Sequence, residues 1–242
     1  VTGFIAIQSF STLAMAQDGT AQDMNQHANH SSAVASSGAP VRGQTVDTEL
    51  AQKMFRRGNT YSNLERYEEA IEEYRKAIAA DPNFAEAIRN LANTYYFTEQ
   101  FSEAKSLLKR YIDLETTTTA ALIASISTLA ELERRDKNYA ESIKYDLRSI
   151  ELDPSNDSQV HVMANTYNNA GDADKAIQVY QAGIVQMPQN AFFDRSLGRI
   201  LEQQGRDQEA LAAYTAAAEK DPDSPRSTAY SEPAVTLGEI FS

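Results

Sequence analysis

Pro82, Pro154, Pro188 and Pro222 mark the chain at a near-constant interval, and three of the four follow Asp. The last two gaps are 34 residues each, and the gap from Pro82 to Pro154 is 72, two such lengths plus four. A fixed period of this size is the mark of an array of like supersecondary units. It constrains the fold more than any local pattern, because each unit can bury its apolar face only on its neighbours. An array also exposes a continuous concave surface and offers no obvious place for a buried reaction centre. The question of function becomes one of partner.

Ending each unit just after its Pro gives 51–84, 85–118, 123–156, 157–190 and 191–224, with 119–122 left over. Place eight of the units holds Gly58, Ala92, Ala130, Ala164 and Gly198; place twenty holds Ala70, Ala104, Ser142, Ala176 and Ala210. All are small, as two antiparallel helices need where their backbones approach. Place eleven carries Tyr61, Tyr95 and Tyr167, with Glu133 and Leu201 in the other two units. Place twenty-four carries Tyr74, Leu108, Tyr180 and Tyr214, with Asp146 the exception and Tyr145 or Leu147 the expected substitute. Apolar residues recur at three and four, so each half-unit reads as an amphipathic helix. Short turns such as 63–66, 170–172 and 204–207 separate the halves, with Gly171 and Gly205 supplying left-handed caps. The residue before a Pro disfavours helix, so each Asp-Pro ends a second helix.

On these residues the chain resembles the tetratricopeptide-repeat (TPR) proteins, with five units over about 51–224. The resemblance implies an all-α fold, a right-handed superhelical solenoid of antiparallel helix pairs. It implies in turn a protein–protein interaction scaffold that holds a peptide or protein segment in its concave groove. Departures are local. Thr116 stands where Pro is expected, and the third unit lacks the aromatic at twenty-four. The stretch 115–122 is therefore read as a loosened junction.

The formal net charge of −12 leaves no dominant basic field, so nucleic acid is not expected as a partner. There is no Cys, and hence no disulfide, thiolate nucleophile or zinc–thiolate site. Residues 1–16 include an apolar run ending in Ala14-Met15-Ala16, the small-residue pattern of a signal-peptide cleavage site. The run is short for a membrane span. A cleaved secretory leader, either truncated at its N-terminus or opening at Val1 on an alternative start codon, predicts export to a periplasm-type compartment with no stable span. Residues 17–46 are polar and small and read as a disordered linker; 225–242 read as a flexible tail. His27 and His30 in the linker offer two ligands where a metal needs three or four, so no metal and no cofactor is expected.

In the TPR family the first helix of each unit lines the concave face. Place nine holds Asn59, Asn93 and Asn165, each in an Asn-Thr-Tyr triplet. A carboxamide both donates and accepts, so it can bridge the backbone of an extended peptide without reading its side chains. Tyr96 and Phe97 are candidate aromatic anchors beside the second turn. Arg89, Arg134, Arg135, Arg195 and Arg199 are candidates for a basic groove that would favour an acidic peptide, with His161 among them. Asn59 and Asn90 fall where the carboxylate clamp of some TPR proteins has Asn. Phe55, Ala124 and Thr128 stand where that clamp needs Lys or Arg, so that particular function is not expected.

No catalytic residue is assigned. His161 has no nucleophile placed with it, and no phosphate-loop, H-E-x-x-H or nucleophile-elbow motif occurs, so the chain reads as non-enzymatic. Two other readings stand beside the scaffold. The Ala-rich 209–219 would allow a homodimer through the last repeat, and the chain would also serve as a regulatory or substrate-binding fragment of a larger enzyme.

Overall fold

The computed structural model describes residues 46–223, and among these every regular element is a helix. The leader, the linker with His27 and His30, and the tail from 225 lie outside the described residues. The chain divides into two compact units between Asp136 and Lys137. The front unit contains α1 (Thr48–Asn63), α2 (Tyr67–Ala80), α3 (Ala85–Phe97), α4 (Phe101–Leu114) and α5 (Ala120–Arg135). The rear unit contains α6 (Tyr139–Leu152), α7 (Asp157–Asn169), α8 (Ala173–Gln186), α9 (Ala191–Gln203) and α10 (Asp207–Lys220). Within each unit every helix packs on the next in sequence, and in the front unit α1 also touches α3.

The boundaries follow the local chemistry. α2, α6 and α10 stop one residue before an Asp-Pro pair, with Asp81, Asp153 and Asp221 as C-caps. Asp47, Thr119, Asn156 and Asp172 cap α1, α5, α7 and α8 by accepting a backbone N–H three residues on. The turns inside the repeats place Gly171 and Gly205 at positive φ. Glu65, Glu99 and Lys137 adopt the same left-handed conformation at the matching places, although a Cβ makes it costlier there. The turn is thus set by the helix pair, with Gly an easier occupant and not a requirement.

The small residue at place eight makes room for a ring as much as for a backbone. A Cβ on Gly58 would lie 2.5 Å from Tyr74 Cε1, and one on Gly198 would lie 2.7 Å from Tyr214 Cε1. Place twenty-four therefore folds its aromatic over the first helix of its own repeat.

Two expectations gain detail. Of the stretch 115–122 read as a loosened junction, 115–119 is a non-helical link and 120–122 already belong to α5. α5 begins at Ala120 and is 16 residues long, against 13 for α3, α7 and α9. Most of the four extra residues therefore extend a helix capped by Thr119. Leu147, one of the two expected substitutes for the aromatic missing from the third repeat, packs partly buried against the rear core, beside the place that the aromatic would hold. Asp146 itself is fully buried and accepts from Gln159 Nε2 at 2.7 Å and from the Ser142 and Thr166 hydroxyls at 3.4 Å. Buried Glu133, at the usual Tyr place, is likewise held by Lys109 at 2.9 Å and Lys105 at 3.3 Å. The third repeat substitutes paired polar groups for stacked rings, which is tolerable only because each carboxylate has partners.

Candidate functional site

On the face formed by α1, α3 and α5 of the front unit lie two adjoining clefts. The first, about 370 Å³, is walled by Asn59, Ser62 and Asn63 of α1, Asn90, Asn93 and Phe97 of α3, and the Tyr74 phenol behind them. The second, about 230 Å³, lies between Arg89, Tyr96 and Phe97 of α3 and Ala121 and Ala124 of α5. Asn93 and Phe97 line both, so they form a ridge shared by the two.

The carboxamides of this face differ in what they have left to offer. Asn59 Oδ1 accepts from Tyr74 Oη at 2.7 Å and from Asn90 Nδ2 at 2.8 Å. Its acceptor is engaged in the wall, and its N–H2 remains as a positioned donor. Burial raises the Tyr74 phenol, which keeps it protonated and able to donate. Asn93 is exposed and uses neither end of its carboxamide inside the protein. Together they present to the cleft the donors and acceptor that an extended backbone needs.

The rings are ordered by their neighbours. Tyr96 donates to Glu131 Oε1 at 2.9 Å, and that bond to a carboxylate raises its phenol. Its ring meets Phe97 and Phe101 edge-on, each at 6.0 Å, and Arg135 lies 4.0 Å over Phe101. Phe97 at the end of this row is 68% exposed, an unusual position for a large apolar ring. Arg134 is half-buried at the end of α5, and Arg135 is occupied by its aromatic stack.

The rear unit brings a different set together. Asn165 Nδ2 lies 2.8 Å from His161 Nε2, and Tyr180 Oη lies 2.6 Å from His161 Nδ1. With Asn165 as donor, the imidazole carries its proton on Nδ1 and donates to Tyr180. Phe192 caps the imidazole edge-on at 4.6 Å. Arg199 is exposed nearby, whereas Arg195 pairs with Asp221 at 3.5 Å. Three like triplets thus yield three unlike carboxamides: Asn59 half-engaged, Asn93 open, Asn165 tied to His161.

Burial, then the Arg199 charge, holds the His161 imidazole below its ordinary value, with Asp157 opposing. The folded group binds its proton less readily than the unfolded one. Its contribution to stability is therefore complete above about pH 6.5 and is lost as the pH falls through the lower folded value. The rear unit should melt at progressively lower temperature as the pH falls below about 6.5. The variant His161→Gln should show a flatter dependence over that range, measured by thermal melts monitored by circular dichroism.

Sequence reasoning located Asn59, Asn90, Asn93, Tyr96 and Phe97 on one face but missed the opposite wall of the second cleft. Ala121 falls in the four residues left over between the second and third units, and Ala124 stands out in the sequence only for the charge it lacks. Their signal was the apolar periodicity of 120–132, which continues the helix through the insertion. Among the described residues no cluster of His, Asp and Glu is arranged to hold a metal, and no helix is long and apolar enough to cross a membrane.

Comparison with known proteins agrees with this architecture. Models of the TPR repeat and of the tetratricopeptide repeat match residues 58–97 and 161–225 respectively. The chain therefore carries tetratricopeptide repeats. Among solved structures it is similar to the MamA protein, with a TM-score of 0.60 and 25% identity over 72% of this chain and 93% of that one. It is also similar to YrrB, a TPR protein with an unusual peptide-binding site, with a TM-score of 0.57 and 20% identity over 75% and 92%. Curated relatives include RNA polymerase II-associated protein 3 of Xenopus laevis, 25% identical over 73% of this chain, and of Mus musculus, 26% identical over 78%. The chain spans 29% and 30% of the lengths of those two relatives.

Proposed function

We propose that the chain is a non-enzymatic interaction module whose front unit holds an extended peptide or protein segment along α1, α3 and α5. The observation that carries this reading is the shared ridge. Asn93 has an uncommitted carboxamide, Phe97 has an exposed ring, and both border the two clefts. Carboxamides suit main-chain pairing, and a rigid aromatic suits a side-chain anchor. The reading of residues 1–16 as an export leader accompanies this proposal and rests on the sequence. Self-association through α10 has narrower support, since Leu211 is its one exposed large apolar side chain.

The test begins with selection of binders from a random decapeptide library displayed on phage, using the full chain as bait. Selected peptides should lose about tenfold in affinity for Asn93→Ala by fluorescence anisotropy, a loss of one hydrogen-bonded contact pair. They should bind Asn165→Ala as they bind the parent. Equal binding by all three proteins would remove the groove from consideration.

A further inference from the structure

We propose that the segment held on the front unit presents a carboxylate to Arg89, next to an aliphatic side chain seated in the cleft between α3 and α5. This inference rests on the peptide-binding reading above and specifies its ligand.

The second cleft is apolar apart from Arg89 and Asn93. Tyr96 and Phe97 form one wall, the methyl groups of Ala121 and Ala124 the other. Of the three hydroxyls that line it, that of Tyr96 donates to Glu131 and the other two donate to their own helix. Ser125 Oγ donates to the Ala121 carbonyl at 2.8 Å, and Thr128 Oγ1 donates to the Ala124 carbonyl at 2.9 Å. A volume of about 230 Å³ between the Tyr96 and Phe97 rings and the Ala121 and Ala124 methyls suits an aliphatic side chain, with Arg89 and Asn93 beside it for polar groups of the ligand.

Arg89 is the charged side chain at this cleft, and its guanidinium is under-satisfied. Its Nε is buried with no hydrogen-bond partner, and its Nη2 reaches Asn90 Oδ1 only at 3.4 Å. Several other cations of the same unit are engaged, while Lys53 and Arg56 are exposed to water. Arg57 and Lys76 pair with Glu73, Arg66 with Glu69, Lys105 and Lys109 with Glu133, and Arg110 bonds the Pro82 carbonyl. An exposed unpaired Arg is satisfied by water. Arg89 Nε is shielded from it and is shielded equally from a ligand, so the side chain has no carboxylate partner of its own and offers its terminal nitrogens. A carboxylate entering the cleft supplies two acceptors to the parallel N–H groups of Nη1 and Nη2. The site lies beside, and not on, Phe55, Ala124 and Thr128, the places where a TPR carboxylate clamp carries its cations.

The carboxylate can come from an Asp or Glu side chain or from a free C-terminus. A three-arm decapeptide panel separates these. Every peptide carries one Leu in a Ser/Asn/Gly background. The first arm adds Glu beside Leu with an amidated end, the second has no Glu but ends in a free carboxylate after Leu, and the third has neither. Fluorescence anisotropy with the full chain should show one or both acid arms binding at least about tenfold tighter than the neutral arm. That preference should shrink as salt is raised. Arg89→Gln should erase the preference, so that the acid arms bind that variant no more tightly than the neutral arm binds it. Arg89→Lys, which keeps the charge but not the fork, should retain only part of it. Neutral peptides binding as tightly as acidic ones, or an acid preference that survives Arg89→Gln, would overturn the inference while leaving the groove reading intact. No binding in any arm would overturn both.

Discussion

Replacing Phe193 with Ala is expected to destabilise the rear unit by about 3–5 kcal/mol. Phe193 is fully buried within the cluster that also contains Val160, Met163, Ile177 and Tyr180. Its ring lies 6.3 Å from that of Tyr180 and 6.2 Å from that of Phe192. The fit is close: a Cβ on Gly183 would stand 3.1 Å from Phe193 Cε2, so the backbone of α8 already makes room for the ring. Truncation leaves a cavity bounded by helices that are themselves braced by their neighbours, and such walls collapse only in part. The loss is a large share of the 5–15 kcal/mol typical of a domain. Because repeats are stabilised by nearest neighbours, it should be concentrated in 137–223. Urea unfolding followed by circular dichroism, with hydrogen exchange to localise the change, provides the measurement. A destabilisation under about 1 kcal/mol would mean that Phe193 is not the packed centre described.

The second large effect concerns recognition. Phe97→Ala should weaken binding of selected peptides by about 2 kcal/mol, roughly thirtyfold, while shifting stability by no more than about 0.5 kcal/mol. The separation follows from where the ring sits. It is 68% exposed, so folding gains little from it, yet it borders both clefts and is held edge-on by Tyr96. Tyr96 in turn is fixed by Glu131, so the anchor is largely ordered before a ligand arrives. A comparable fall in melting temperature would instead mark Phe97 as structural.

Much of the fold was legible in the period. Asp81-Pro82, Asp153-Pro154 and Asp221-Pro222 end helices because Pro acts on the residue before it, a rule independent of tertiary context. What the period hid lies where the third repeat departs from its siblings. Asp146 and Glu133 stand out in the sequence only as exceptions at places where other repeats carry rings, yet both are buried, because partners on neighbouring helices satisfy them. Such partners are distant in sequence and leave no local trace. The site was legible in type and not in state. Asn59, Asn93 and Asn165 repeat in identical triplets, but their carboxamides are set by residues elsewhere: Asn90 and Tyr74 for the first, His161 for the third. The insertion at 119–122 likewise concealed Ala121, since a longer helix and a longer loop are equivalent in residue count.

The most direct test of peptide recognition on the front unit is amide chemical-shift mapping of the isotopically labelled full chain, titrated with a selected decapeptide. The account predicts that the largest shifts fall on α1, α3 and α5, centred on Asn59, Asn93, Phe97 and Ala124, with the side-chain amide of Asn93 among them. Shifts confined to 137–223, or to the outward faces of α2 and α4, would contradict it.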